Sequence, residues 1–272
     1  GMYGSWLLGV SFSFTGHAAD LYRERVALED KIRHAEFIVC ISEFHRRFFL
    51  DLGAKPEQLH LVYCGIDVTH FSPEWTEREP GQVPHIGSTG RLVEKKGFLD
   101  LVDACRRLTD RGIPYRCTIG GNGPQEADIR KRIQQHGLEG QVTVTGQALT
   151  QEELPSFMRH ADIYALPCVW AKDGDVDGLP QMLMEAMSCE VPSVSTNLVG
   201  IPDLIVNGFT GLLVEPGNST QLADALQRLI EEPQAARTMA KEGRNKVLSK
   251  FEINQALQPL INLFKQKLQT IE

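Results

Sequence analysis

The sequence predicts an α/β fold, a doubly wound parallel sheet preceded by a smaller α/β part. Two observations carry this. Short apolar, β-rich runs alternate along the chain with longer segments whose apolar residues recur at helical spacing. Runs such as Ile163–Leu166 are apolar throughout, the pattern of strands covered on both faces. Strands separated by helices return by right-handed crossovers and so pair in parallel.

Residues 10–14 read as a buried strand. Residues 20–35 read as a helix, with Leu21, Leu28, Ile32 and Ala35 on one side and charges on the other. Asp20 stands where a capping residue would. Residues 37–41 are a short β-rich run, and Ser42 has the chemistry to cap a helix ending near Gly53. Residues 60–63 form a further strand closed by a turn at Gly65-Ile66-Asp67. Residues 73–84, polar with three prolines, read as a linker. The expected division is therefore residues 1–82, a partial first domain with its linker, and residues 83–272.

Beyond the linker the pattern restarts. Strands are expected at 85–89, 115–119, 142–144, 163–166, 192–195 and 211–214. Helices are expected at 98–111, from the turn at Gly120–Pro124 to His136, at 152–160 and at 180–189. A helical turn is expected at 201–206, and an interrupted helical tail from Gln221 onwards. The first part supplies only about three strands, half of what a doubly wound domain needs.

The net charge of -7 argues against nucleic acid as a partner. None of the six cysteines forms a C-x-x-C pair, and no His/Cys group has zinc spacing. Free thiols imply a reducing, cytoplasmic compartment. The apolar stretch 6–14 is too short to span a bilayer and lacks a basic flank.

Three segments carry chemistry. In the run from Asp173 to Val194, Pro180 suits the first turn of a helix and Gly178 lets backbone approach closely before it. Amides at such a start form an anion site, with Asp177 in front and Glu185 further along. In the second segment, Gly90 to Gly97, Arg91 and Lys96 are cations at the carboxyl end of a strand, where open α/β sheets bind ligands. Arg can grip a diphosphate through two parallel bonds, and Lys adds a point charge. Alone, this segment reads as a solvated basic turn. The third, Gly120-Gly121-Asn122-Gly123-Pro124, reads alone as a tight βα turn, since Glu126 occupies the third glycine of a dinucleotide fingerprint.

Together, and in this order, these segments resemble the retaining glycosyltransferases of family 4, of the two-domain GT-B fold. The matching motifs are Gly90-Arg91-Leu92 with Lys96-Gly97, Gly121-x-Gly123-Pro124, Asp177-Gly178-Leu179-Pro180 with Glu185-Ala186-Met187, and Gly200-Ile201-Pro202-Asp203. Asn207-Gly208 through Val214 follows. Upstream, the stretch from Ser13 to Asp20 resembles the loop carrying an acceptor-side histidine, here His17. Tyr63-Cys64-Gly65-Ile66-Asp67 resembles the end of the family's first domain. The resemblance covers almost the whole chain and implies that much of the N-terminal acceptor domain is missing.

The resemblance implies a nucleoside diphosphate sugar as donor and a saccharide or lipid-linked acceptor. Gly90, Arg91, Lys96, Gly121 and Gly123 would surround the diphosphate. Gly178, Leu179 and Pro180 would face the sugar, and Glu185 the ribose hydroxyls. Asp177, His17, Arg91 and Lys96 would act on the reacting centre. The cations would stabilise the departing nucleotide, so no metal or other cofactor is required. Taken by itself, His17 is equally a turn or packing residue.

Three residues depart from the family pattern: Asp177 and Asp203 each stand for Glu, and Glu190 stands for a Gly. The last puts in doubt a special backbone angle or close packing at that position, rather than the chemistry. The Asp173-x-Asp175-x-Asp177-Gly178 run matches the first half of a calcium loop, but Met184 occupies the position that needs Glu. Two competing functions stay open: a non-catalytic nucleotide-sugar-binding module, and an epimerase or phosphorylase on the same fold. The acidic loop resembles that of enzymes building bacterial surface polysaccharide. Family members often work at the cytoplasmic membrane face, so peripheral membrane association is expected. An uncovered sheet edge suits a homodimer.

Overall fold

The structure, a computed structural model, describes residues 1–18, 21–22, 25–74 and 81–269. The chain opens with helix α1 (Met2–Leu8), which the sequence reading did not anticipate. Gly9 in the left-handed region (φ 65°) closes this helix, so the expected strand at 10–14 is displaced to β1 (Ser13–Thr15). The expected helix at 20–35 shrinks to α2 (Leu28–His34), because Ala27 takes a left-handed φ of 51° that helical backbone does not tolerate. Asp20 and half of the expected linker, residues 75–80, lie outside the described residues.

Strand β2 (Phe37–Cys40) is buried along its length, and α3 (Glu43–Asp51) follows at once, capped by the Ser42 hydroxyl, which accepts from the His45 amide at 3.1 Å. Strand β3 (Leu59–Leu61) completes a parallel sheet of order β1-β2-β3.

The second sheet has six parallel strands: β4 (His85–Thr89), β5 (Arg116–Gly120), β6 (Val142–Val144), β7 (Ile163–Leu166), β8 (Ser193–Thr196) and β9 (Leu212–Val214). Their order is β6-β5-β4-β7-β8-β9. Relabelled within this unit it reads 3-2-1-4-5-6, the doubly wound arrangement whose strand order reverses between the first and fourth strands. Every residue of β4, β7 and β8 is buried, as strands sandwiched between helical layers require. Helix α4 (Phe98–Asp110) shows the matching amphipathic spacing, with Phe98, Leu101, Val102, Cys105 and Leu108 all buried. Helices α5 (Glu126–His136), α6 (Glu153–Arg159), α7 (Gln181–Ser188), α8 (Ile201–Leu204) and α9 (Ser219–Glu231) complete the layers.

Helix α10 (Pro233–Lys250) packs on α7, and a break at Phe251-Glu252 leads into α11 (Ile253–Gln269). The sequence reading groups α11 with residues 83–272. It lies instead on the first sheet, where Leu263 is buried with Phe37, Val39 and Val62, and the Phe264 and Phe37 rings meet at 5.7 Å. Among the described residues no helix is long and apolar enough to cross a membrane, and all six cysteines are free thiols.

Candidate functional site

The reversal of strand order places the loops after β4 and β7 side by side. The first is Gly90 to Gly97, ending in a single 3-10 turn over Glu94–Lys96. The second runs from Pro167 to Pro180 and leads into α7. Pro180 proves to be the N-cap of α7, with an extended ψ of 120°, rather than a residue of its first turn.

The loops are stitched together. Val169 N donates to the Lys95 carbonyl at 3.0 Å, and Lys172 N donates to Glu94 Oε2 at 3.1 Å. Lys95 Nζ lies 3.2 Å from Asp175 Oδ2 and 3.1 Å from Asp177 Oδ1, while Lys96 Nζ lies 2.6 Å from Asp177 Oδ2. The acidic run is thus held by two lysines. Among the described residues no group of three or more His, Cys, Asp or Glu is placed to hold a metal ion.

These pairs set the electrostatics. Burial alone would raise the Asp177 carboxyl, but Lys96 and Lys95 outweigh it and hold the group below its ordinary value. Lys95 loses stability as a cation through burial, yet Asp177 and Asp175 raise it above the ordinary lysine value. Glu185 projects from α7 with only 6% of its surface exposed, and its Oε2 has no hydrogen-bond partner. Burial pushes its carboxyl up to about 7, against a weaker lowering by Lys96. Arg91 is exposed and pairs with no carboxylate among the described residues. The amides of Gly178 and Leu179 likewise donate to no group among the described residues. Lys96 and Asp177 are thus joined at the carboxyl ends of β4 and β7, Glu185 stands near enough to feel the Lys96 charge, and Arg91 and the Gly178 and Leu179 amides lie on the same two loops.

Gly121 and Gly123 pack against the backbone of the Gly90 loop. A Cβ on either would overlap the backbone of Gly90 or Leu92, and Leu92 N donates to the Asn122 carbonyl at 2.8 Å. Lys96 runs along Gly90, its Cε 3.4 Å from where a Cβ would stand.

The first sheet meets the site through the start of α3. A Cβ on Gly178 would lie 3.2 Å from His45 Cε1, and one on Gly200 would lie 2.8 Å from Ser42 Cβ. The close approach that glycine permits at 178 is thus made by a side chain from the other sheet. Asp203 reaches the same helix, its Oδ2 accepting from Glu43 N at 2.7 Å, and so caps α3 from outside. Glu190, where the family pattern has glycine, takes a left-handed φ of 58°. His17 is exposed on the loop after β1 and close enough to His45 for its charge to be felt there.

Sequence reasoning missed Lys95, Tyr22 and His45. Lys95 had a usable signal, because a lysine pair facing three alternate aspartates invites ion pairing. A cavity of ≈ 600 Å³ lined by Arg116, Arg159, Asp162 and Pro192 opens at the opposite, amino ends of the strands, remote from these residues.

The family model for "Glycosyl transferases group 1" matches residues 74–246. The chain is 33% identical over 233 residues to the "Putative colanic acid biosynthesis glycosyltransferase WcaL" of Escherichia coli (strain K12), covering 84% of this chain and 57% of that protein. It is 31% identical over 256 residues to the "Amylovoran biosynthesis glycosyltransferase AmsK" of Erwinia amylovora, covering 92% of this chain and 62% of that protein. The chain thus spans less than two thirds of the length of these curated relatives. Among solved structures, Anabaena Alr3699/HepE in complex with UDP superposes with a TM-score of 0.82 at 19% identity, covering 97% of this chain and 74% of that one. At that identity the likeness shows the fold.

Proposed function

The chain belongs to the group 1 glycosyl transferases, and from that premise we propose that it moves a sugar from a nucleoside diphosphate sugar to a saccharide or lipid-linked acceptor, with retention at the anomeric carbon. The observation that supports this best is that the loops bearing Arg91, Lys96, Asp177 and the Gly178 and Leu179 amides lie side by side where the strand order reverses, with Lys96 bonded to Asp177 and near Glu185. The Anabaena protein, which shares the fold, is in complex with UDP, which agrees with a nucleotide as ligand. The names of the two relatives suggest surface polysaccharide as the product class.

In this reading Arg91 and Lys96 hold the diphosphate and stabilise the charge that develops on it as the glycosidic bond breaks. Their charges take the part a metal would otherwise play. Glu185 accepts from the ribose hydroxyls, and the two amides hold hydroxyls of the sugar. Diphosphate and Asp177 compete for Lys96. Nucleotide binding therefore leaves Asp177 held by Lys95 at Oδ1 alone, with Oδ2 turned to the positive charge developing at the anomeric carbon. His17 meets the sugar from the first sheet.

Thermal stability against UDP, GDP, dTDP and ADP tests the donor site. A ligand at a hundred times its dissociation constant stabilises by about 2.7 kcal/mol. One base should raise the melting temperature in the wild type, and the Arg91→Ala, Lys96→Ala double variant should lose that shift. An unchanged shift in the variant removes these residues from the site. Transfer is a separate question, since the chain spans only part of its relatives' length. A new glycoside made from the matching nucleotide sugar supports the transferase, and nucleotide binding without product supports the binding module.

A further inference from the structure

His45 and Tyr22 form a polar seam between the two sheets that nothing among the described residues satisfies. His45 is fully buried, and neither of its ring nitrogens has a hydrogen-bond partner; the Tyr22 hydroxyl is likewise buried and unpartnered. The two rings pack at 5.8 Å, and Tyr22 also meets Trp170, on the loop after β7, at 5.2 Å. Such orphan atoms are rare inside folded proteins and destabilise them. Phenylalanine at both positions would fill the same space without that penalty. Burial, then the nearby charge of His17, pushes the imidazole down to about 4. At neutral pH it therefore offers one donor and one acceptor, the complement of a hydroxyl.

The ring lies against Gly178, where a Cβ would stand 3.6 Å from Nε2. In the proposed function the Gly178 amide holds the sugar being transferred. Resting on that reading, we propose that His45, with Tyr22 beside it, is a specificity-determining residue that hydrogen-bonds a hydroxyl of the donor's hexose. The sugar reaches it by parting the contact between His45 and Gly178. The nucleotide, held at Arg91 and Lys96, makes no demand on the seam.

The test uses the full chain and matched pairs, UDP with UDP-glucose and GDP with GDP-mannose, by isothermal titration. His45→Phe should weaken binding of the nucleotide sugar about tenfold, the worth of one good hydrogen bond, and leave the bare nucleotide within twofold. His45→Gln should restore most of the loss. Tyr22→Phe, a smaller change, should weaken the nucleotide sugar alone. Equal weakening of both members of a pair would make His45 a packing residue and overturn the inference, as would no change in either. If the wild type binds no bare nucleotide, the donor-site reading itself falls and takes this inference with it, so the two failures are told apart.

Discussion

Glu185 offers a pH-dependent stability that one substitution should erase. Its carboxyl is 6% exposed, with Oε2 unpartnered, and is raised from 4.5 to about 7 by burial. A raised acid binds its proton more tightly in the folded chain than in the unfolded one. Between those two values the unfolded chain has already lost the proton and the folded chain still holds it, so stability falls as pH rises. The gap corresponds to about 3 kcal/mol at roughly 1.4 kcal/mol per unit. Below pH 4.5 this penalty is absent, and above pH 7 it is fully present. Glu185→Gln keeps the shape and removes the ionisation. Urea unfolding of both proteins at pH 5 and pH 8.5 isolates the group, because the other carboxylates cancel in the difference. The variant should gain about 2 to 3 kcal/mol on the wild type between the two pH values. A constant difference would refute the view that burial of a charge sets the behaviour of Glu185.

Two backbone predictions follow from left-handed residues. Glu190→Gly should relieve about 1 kcal/mol of strain at φ 58° and raise the melting temperature by about 2–4 °C, since the part-exposed pair to Arg244 at 3.8 Å contributes little. A lower melting temperature would mean that this ion pair outweighs the strain. Gly97→Ala should prevent folding or lower stability severely, because φ is 68° and a Cβ there would overlap the Pro167 carbonyl. Gly112→Ala, at φ 69° with nothing near its Cβ, isolates the conformational part and should lose only about 1–2 kcal/mol. Equal losses at the two positions would show that the Pro167 contact yields.

Much of this was legible because it is local. Strands His85–Thr89, Val142–Val144 and Ile163–Leu166 fall where apolar runs sit between turn residues, and α4 follows its spacing of buried residues. The loops bearing Arg91, Lys96 and Asp177 stood out because their motifs occur together in the order the family shows, at strand ends where a doubly wound sheet binds ligands. The first part was harder. Met2–Leu8 and residues 10–14 form one apolar stretch, and only the left-handed turn at Gly9 divides it into helix and strand. Ala27 carries no sign of the φ that shortens α2. His45 was invisible as a site residue, because its neighbour Gly178 lies far along the chain on the other sheet. A histidine one turn into a capped helix otherwise looks like any other. Lys96 was found as a cation, but its sharing with Asp177 depends on how two loops meet.

The backbone joint at Ile66 has a mechanical consequence. The chain passes between the sheets twice, once after Ile66 and again at Phe251-Glu252. At the joint Ile66 N donates to Phe251 O at 2.9 Å, and Ile253 N donates to Ile66 O at 3.0 Å. Two crossings bonded to each other behave as a single pivot. Stretching it would break both bonds together, whereas bending about it breaks neither. A Cβ on Gly65 would sit 2.6 Å from Ile253 Cα, so the pivot is also too tight to slide. The joint therefore fixes the point about which any relative turning of the two sheets would take place.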